Sequence, residues 1–343
     1  MTALGTPIRV LLVQANSLQR TQLVEVLQRD GDIRVLGPAA SATDAISTVQ
    51  HDRPDIVVID LQLADGGSQY AVEQIMARNP TPILVLSSRI ADRRSPRAVE
   101  ALVAGALDAL PTPTPGDTRS EGELRHCVRQ LRKVTVIRHP RGGRTTPPPR
   151  PALAGRTPVV AIGASTGGPT AVATVLSGLA GLAAPVLIVQ HLHPDFTSGL
   201  LDLLARSSAL PVRMAEQGVV LQPGTVYLAP GHQHLKLGAG SRVELDPQPL
   251  ALHRPSADEL FSSLAVHAGP AGIGVLLTGM GEDGARGLLE LHRRGGRTLA
   301  QDQATSAVFG MPQAAARLGA VNDLLPLGQL AAAVVRAVGE VRR

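Results

Sequence analysis

The sequence predicts an α/β protein built from two domains, each a doubly wound parallel sheet. Short, continuous apolar runs such as DIVVID at 55–60 and VLIVQ at 186–190 alternate with amphipathic stretches. Strands that are apolar at every position are typical of parallel sheets, whose two faces are both covered by helices. The length of 343 residues exceeds one ordinary core and suits two domains of about 100–200 residues each.

The boundary between the domains is predicted in a segment rich in Pro, Gly and Arg, at 136–156, where apolar periodicity disappears. Its three consecutive prolines, at 147–149, favour an extended polyproline conformation. We therefore interpret 136–156 as a linker between a first domain at 1–135 and a second at 157–343. A docking arm for a partner is the alternative interpretation.

In the first domain, apolar runs and helical periodicity alternate as repeated βα units. Strands are predicted at Arg9–Gln14, Ile33–Gly37, Asp55–Asp60, Pro82–Ser87 and Leu107–Leu110, and helices at 18–30, 41–51, 68–79, 95–104 and 119–133.

The second domain repeats this pattern, with a ribbon inserted around 218–246. Strands are predicted at Val159–Gly163, Val186–Gln190, Val226–Leu228 and Ile273–Gly279, and helices at 169–179, 197–206, 257–267, 284–294 and 328–341.

Composition narrows the class of protein and its partners. No apolar run approaches the ~18 residues of a membrane span, and the start of the chain does not resemble a signal peptide. Cys127 is the single cysteine, which fits a reducing compartment. We therefore expect a cytoplasmic protein without membrane insertion. The positive charges behind the net charge of +5 are almost all Arg. The chain has only three Phe and two Tyr, so it has few aromatic side chains on which nucleic-acid bases could stack. We therefore expect no nucleic-acid partner.

Three reactive residues follow three predicted strands of the second domain. Ser165 follows VVAIG, His191 follows VLIVQ directly, and Asp283 lies in GMGEDG just after IGVLLTG. Because ligands bind beyond the carboxyl ends of parallel strands, we expect the three side chains to meet at one sheet edge. A serine hydroxyl needs a base to take its proton, and a carboxylate orients that base. The sequence therefore predicts a serine hydrolase with Ser165 as nucleophile, His191 as general base and Asp283 as its orienting acid.

Backbone N–H groups near this serine are predicted to stabilise an oxyanion. The candidates lie in the glycine-rich turn at Thr166, Gly167 and Gly168, and at Met280 in the GMG turn.

Each catalytic candidate also has a structural alternative. Ser165 can be a helix N-cap, or part of a phosphate-binding loop G-A-S-T-G-G. His191 can be a packed histidine, or a metal ligand together with His193. Asp283 can be an acid in the first turn of a helix. Two neighbouring acids, Glu282 and Asp302, compete for its role.

These motifs resemble the chemotaxis response-regulator protein-glutamate methylesterase / protein-glutamine glutaminase family. The resemblance is carried by IGASTGGP at 162–169, QHLHPDFT at 190–197, VYLAPGHQH at 226–234, RPSADELF at 254–261, LLTGMGEDGARGL at 276–288 and AQDQATSAVFGMP at 300–312. It places the family's serine, histidine and aspartate at Ser165, His191 and Asp283, and its oxyanion-side residue at Met280. It implies a Rossmann-like catalytic domain, demethylation of glutamate methyl esters and deamidation of glutamines on chemoreceptors, and no catalytic cofactor. A silent homologue acting as a scaffold and an esterase for another protein are the alternatives.

The first domain resembles a flavodoxin-like phosphorylation receiver that has lost part of its site. Asp60 fits the phosphoacceptor position and Ser87 the hydroxyl position. Gln14 and Ala15 stand where receivers carry two acids, and Thr112 stands where they carry a lysine. Because Mg²⁺ is usually held by carboxylates and phosphate, we expect weak Mg²⁺ binding and a degenerate regulatory module. The alternative is a working Asp60 with unusual auxiliary ligands. The partner that the resemblance implies for this domain is a chemotaxis histidine kinase.

Overall fold

A computed structural model of the chain describes residues 6–37, 39–63, 67–88, 96–134, 157–248 and 253–342. The chain divides into two compact units, Met1–Arg138 and His139–Arg343. The predicted linker at 136–156 lies outside the described residues. No helix in the described ranges is both long and apolar enough to cross a membrane.

The first unit contains a five-stranded parallel sheet in the order β2-β1-β3-β4-β5. Its strands are β1 (Ile8–Val13), β2 (Ile33–Val35), β3 (Ile56–Asp60), β4 (Ile83–Ser87) and β5 (Asp108–Pro111). Its helices are α1 (Ser17–Gln28), α2 (Ala42–Asp52), α3 (Ser68–Arg78), α4 (Pro96–Val103) and α5 (Thr118–Leu131). β3 and β4 are buried at every position, as expected for a sheet covered on both faces.

The second unit contains a seven-stranded parallel sheet in the order β14-β13-β12-β6-β7-β9-β8, and a two-stranded antiparallel ribbon, β10-β11. Its strands are β6 (Val159–Ala164), β7 (Val186–Gln190), β8 (Val212–Met214), β9 (Val226–Leu228), β10 (His234–Gly238), β11 (Arg242–Asp246), β12 (Gly272–Leu276), β13 (Arg297–Gln301) and β14 (Asp323–Leu325). Its helices are α6 (Gly168–Ser177), α7 (Thr197–Ser207), α8 (Ala257–His267), α9 (Ala285–Arg293), α10 (Met311–Arg317) and α11 (Leu327–Arg342).

The strand order confirms the predicted fold class of two parallel-sheet α/β domains. In the second unit the chain starts at β6 and moves outward through β7. It later returns to the other side of β6 to add β12. β6 therefore lies at the point where the strand order reverses, and this is where open α/β sheets form a crevice for ligands.

One aromatic ring fills the space between α8 and the sheet of the second unit. Phe261 of α8 is fully buried, and it lies against glycines at three positions: Gly163 on β6, Gly274 on β12 and Gly284 before α9. A Cβ added at each of these glycines would come within 3.2–3.5 Å of the ring. The glycines thus leave the space that lets α8 pack closely on the sheet.

Several short elements were not predicted from the sequence. β8 and β14 have three residues each, and none of these residues is fully buried, so they form no continuous buried run. β13 reads RTLAQ, a mixture of polar and apolar residues, yet four of its five positions are buried. α10 spans only seven residues. In each case the neighbouring strand or helix, rather than local periodicity, stabilises the element.

We predict that Phe261→Ala lowers the free energy of unfolding by about 3–5 kcal/mol, because it leaves a cavity between α8 and the sheet. Val266→Ala on the same helix is the matched control, since Val266 is 57% exposed and its truncation should change stability by less than ~0.5 kcal/mol. Urea unfolding of both variants measures the difference. Equal effects of the two substitutions would contradict this account of the core.

Candidate active site

Ser165 lies directly after β6, in the turn that leads into α6. Its backbone N–H donates to the Thr278 carbonyl at 3.0 Å, and its carbonyl accepts the Gly168 N–H at 2.7 Å. The N-cap of α6 is Gly167, at a φ of 75°, so the Ser165 hydroxyl does not cap the helix. The hydroxyl has no hydrogen-bond partner among the described residues, and it remains available as a nucleophile.

The turn around Ser165 requires glycine at close approaches of the backbone. A Cβ on Gly279 would lie 2.7 Å from Ser165 Cβ, and a Cβ on Gly168 would clash with the Gln190 side chain. Distances this short are not seen between real side chains, so both positions must lack a Cβ. Gly279 thereby lets the loop after β12 pass directly beside the serine.

His191 follows β7 at the same level as Ser165, because Ala164 pairs with Gln190 in the β6–β7 register. The His191 N–H donates to the Ala164 carbonyl at 2.9 Å. The buried Gln190 amide donates to the carbonyls of both Ser165 and His191, each at 2.8 Å. One side chain therefore ties the two strand ends together.

Asp283 contacts His191 directly, through a hydrogen bond of 2.7 Å between Oδ2 and Nε2. The side chains of His191 and Asp283 are only 8% and 12% exposed. Because a carboxylate only accepts hydrogen bonds, Nε2 carries the proton of the neutral imidazole and Nδ1 carries the lone pair. His191 Nδ1 is buried and has no partner in the described part of the chain. It is therefore the nitrogen that can accept a proton.

The Asp283 carboxylate also binds the N-terminus of α8. It accepts hydrogen bonds from Ser256 Oγ at 2.7 Å, Ala257 N–H at 2.6 Å and Asp258 N–H at 3.2 Å. Burial by itself raises the pKa of Asp283, but the hydrogen bonds from His191, Ser256 and Ala257 outweigh burial and hold this pKa well below its usual range. The carboxylate is therefore anionic beside the imidazole.

A second imidazole lies against the first. The rings of His191 and His253 are stacked, with centroids 4.3 Å apart and planes inclined by 10°. Burial is the main cause that lowers the pKa of His253, and the charge of His191 lowers it further. The Asp283 carboxylate acts in the opposite direction. His253 thus presents a neutral ring near pH 7.

Three backbone donors near Ser165 are unpaired in the described ranges: the N–H groups of Thr166, Gly167 and Met280. The expectation that Gly168 also supplies a donor is wrong, because its N–H closes the turn on the Ser165 carbonyl. Met280 follows Gly279, whose N–H donates to Val308 and whose carbonyl accepts from Gly310 and Met311. These contacts fix the peptide that presents the Met280 N–H.

The two competing acids and the proposed metal ligand His193 have surroundings that differ from those of Asp283. Glu282 is exposed, and Asp302 accepts hydrogen bonds from the Thr305 N–H and hydroxyl. His193 accepts the Asp195 N–H as the cap of a short 3-10 helix. Across the described ranges, no group of three or more His, Cys, Asp or Glu side chains could hold a metal ion.

Sequence reasoning did not identify Gln190, His253, Ser256 or Ala257 as part of this site. A signal was present for one of them. Ser256 and Glu259 form an S-x-x-E pattern, and Ser256 Oγ accepts the Glu259 N–H at 3.4 Å, as an N-cap does. The pattern predicts where α8 begins, but it does not reveal that this helix end meets Asp283.

The candidate phosphorylation site of the first unit holds an amide in place of an acid. Asp60 ends β3 and is buried, as is Gln14 after β1. Gln14 Nε2 donates to Asp60 Oδ2 at 2.7 Å, while Gln14 Oε1 accepts the Asn16 N–H at 2.9 Å. Asp60 Oδ1 accepts the Gln62 N–H at 2.7 Å. Both carboxylate oxygens thus already accept hydrogen bonds.

These residues do not fit a divalent cation. Mg²⁺ takes oxygen ligands, but Gln14 turns its N–H group, and not its oxygen, towards Asp60. Ala15 has no side-chain oxygen that could bind a cation. Ser87 is buried at the end of β4, and the buried Thr112 hydroxyl has no partner among the described residues.

The chain matches two family models: the CheB methylesterase model at residues 160–334 and the response regulator receiver domain model at 10–118. A relative named protein-glutamate methylesterase/protein-glutamine glutaminase 2, from Anaeromyxobacter dehalogenans (strain 2CP-C), is 44% identical, with 98% of each chain covered. Protein-glutamate methylesterase FrzG of Myxococcus xanthus is 42% identical over 90% of this chain and 92% of its own.

The fold of the second unit also has a solved relative. The crystal structure of the Thermotoga maritima CheB methylesterase catalytic domain is 36% identical, with a TM-score of 0.51, and covers 52% of this chain and 98% of that one. The matches together span both units, and each exceeds what a chance similarity of folds would give. The chain therefore belongs to the CheB methylesterase family, with a receiver domain preceding its catalytic domain.

Proposed function

We propose that the chain is a protein-glutamate methylesterase that uses Ser165, His191 and Asp283 as a catalytic triad. The observation that carries this proposal is the His191–Asp283 hydrogen bond, which leaves buried His191 Nδ1 without a partner in the described part of the chain. The strand end that carries His191 neighbours the one that carries Ser165. The names of the relatives support a glutamate methyl ester as substrate. The intact pair disfavours a catalytically silent scaffold.

In the first half of the reaction, Ser165 Oγ attacks the carbonyl carbon of the ester while His191 Nδ1 takes the hydroxyl proton. The resulting imidazolium is stabilised by the Asp283 carboxylate on Nε2. The N–H groups of Thr166, Gly167 and Met280 are the donors proposed for the oxyanion. Collapse of the intermediate breaks the bond to the methoxy oxygen, which leaves as methanol with the proton from Nδ1.

In the second half, water attacks the acyl-serine ester and His191 Nδ1 takes a proton from that water. Collapse returns this proton to Ser165 Oγ and releases a free glutamate side chain. A glutamine substrate follows the same route, with ammonia in place of methanol as the first leaving group. Neither half requires a metal or a cofactor.

We propose methyl-accepting chemotaxis receptors as the substrate proteins, since their methylated glutamates lie on cytoplasmic helices. On this proposal the enzyme acts in the cytoplasm. The receiver domain is the part proposed to communicate with a chemotaxis histidine kinase.

We propose further that this receiver domain is degenerate and is phosphorylated poorly. The Gln14 amide donates to Asp60 Oδ2, so a neutral side chain takes the place of an acid beside this carboxylate. The domain then serves as a docking or regulatory module whose state does not follow phosphorylation.

Ser165→Ala is expected to lower kcat by about 10⁴–10⁶-fold, because it removes the nucleophile while leaving the binding surface. Methanol release from methylated receptor fragments is the measurement. Ser177→Ala is the matched control, since Ser177 ends α6, is exposed, and its Oγ donates to Thr174. Full turnover by Ser165→Ala would refute the triad.

Asp283→Asn is expected to lower kcat by roughly 10⁴-fold and to destabilise the fold by about 1–3 kcal/mol. Each oxygen of the Asp283 carboxylate accepts two hydrogen bonds. In asparagine, an NH₂ group replaces one of these oxygens, so it would face groups that donate hydrogen bonds at this position. Asp202→Asn, at an exposed position on α7, is the control.

The stability gap between wild type and Asp283→Asn is also expected to depend on pH. Because folding lowers the pKa of Asp283, its contribution is complete above the unfolded value of about 3.9 and is lost as pH falls below it. Urea unfolding at pH 7 and at decreasing acid pH measures this gap. A gap that widens on acidification would show that the carboxylate is not the stabilising form.

Wild-type protein incubated with acetyl phosphate and Mg²⁺ is expected to show no stoichiometric gain of a phosphoryl group by intact mass. Gln14→Asp combined with Ala15→Asp supplies the two missing carboxylates and should raise the labelled fraction. Addition of Asp60→Asn should abolish that gain. A stoichiometric label on the wild type that is lost in Asp60→Asn would overturn the degenerate receiver.

A further inference from the structure

The stacked ring of His253 has no chemical step in the mechanism above, yet it touches the base that performs every proton transfer. Its centroid lies 4.3 Å from that of His191, and the two planes differ by 10°. Stacked aromatic rings attract each other when they are offset, and nearly parallel rings this close leave little room for either ring to tilt. The contact therefore restrains the orientation of the His191 ring.

His191 needs such a restraint because its own hydrogen bonds leave its ring able to tilt. Its backbone N–H is held by the Ala164 carbonyl, and its Nε2 is held by Asp283 at 2.7 Å. Nδ1 has no partner in the described part of the chain. A ring held by a single side-chain hydrogen bond can still tilt about that bond, and a flat contact on its face removes the tilt.

The charge state of His253 suits this position. The charged groups that act on it are His191 and Asp283. Burial, followed by the charge of His191, lowers the pKa of His253. A neutral ring does not repel the imidazolium that His191 becomes when it takes the serine proton.

His253 also belongs to the segment that holds the other member of the pair. Three residues further on, the Ser256 hydroxyl and then the Ala257 N–H donate to the Asp283 carboxylate. The segment 253–257 therefore contacts the base through a ring face and the acid through hydrogen bonds. It positions both groups relative to each other.

We propose that His253 is a positioning residue for ester hydrolysis, whose stacked ring fixes the plane of His191 and with it the direction of Nδ1 in the active site. This inference rests on the proposed function of the Ser165, His191 and Asp283 triad. It assigns His253 no proton transfer and no contact with the substrate.

The test compares three variants of the full chain in the methanol-release assay. His253→Ala removes the ring and is expected to lower kcat by about 10–100-fold through misorientation of the base, with KM little changed. His253→Phe keeps a flat ring without a titratable group, and it should retain most of the wild-type kcat. His267→Ala, at the exposed end of α8, should behave as wild type.

A spectroscopic measurement separates positioning from a general effect on folding. A ring stacked on His191 shifts the ring C–H resonances of His191 upfield in proton NMR. We expect these resonances to move downfield in His253→Ala and to stay shifted in His253→Phe. Thermal unfolding checks that each variant is folded, and His253→Leu replaces the alanine variant if that one is not.

Two results would overturn the proposal. One is wild-type kcat in a folded His253→Ala or His253→Leu variant. The other is a loss in His253→Phe as large as that in His253→Ala. Failure of the underlying function is distinguishable, because it would show as turnover by Ser165→Ala, whatever the His253 variants do.

Discussion

The catalytic unit depends on one largely enclosed carboxylate that binds a helix N-terminus and an imidazole together. Asp283 Oδ2 accepts from His191 Nε2 and the Ala257 N–H, while Oδ1 accepts from Ser256 Oγ and the Asp258 N–H. The charge therefore sits at the positive end of the α8 dipole. Without these donors, burial would favour the neutral acid, and this would weaken the interaction that is proposed to orient the base. The helix start and the catalytic geometry are consequences of the same interaction.

Both units place a carboxylate and a partner side chain near the carboxyl ends of parallel strands. They differ in whether the partner is an imidazole or an amide. In the catalytic unit, a carboxylate accepts from an imidazole that can gain a proton. In the receiver unit, Asp60 accepts from the Gln14 amide, which cannot change its charge. The first pair contains the side chain that is proposed to move a proton, whereas the second is a hydrogen bond from a neutral amide. In the receiver unit, this difference arises from Gln14, the residue that follows β1.

Much of this architecture could be predicted from the sequence because apolar runs identify parallel strands and their ends identify the crevice. Ser165, His191 and Asp283 could be selected in this way, since each follows a strand. His253 and Ser256 could not, because they reach the site from the start of α8 and no strand end marks them. The edge strands β8 and β14 were also missed, since their residues are not fully buried and form no continuous apolar run. The strands and their ends could be located because a local pattern marks them. The contacts made by His253 and Ser256 could not, because they arise only from tertiary packing.

The shared role of Asp283 has a consequence for how this enzyme can be altered by selection or design. In many enzymes, catalytic residues are held at a cost to the fold, so replacing them raises stability while activity is lost. Here the acid that is proposed to orient the base also completes a helix N-terminus and satisfies its backbone donors. Selection for a more stable catalytic domain and selection for a faster one therefore favour the same side chain, and at this position there is no trade-off between them.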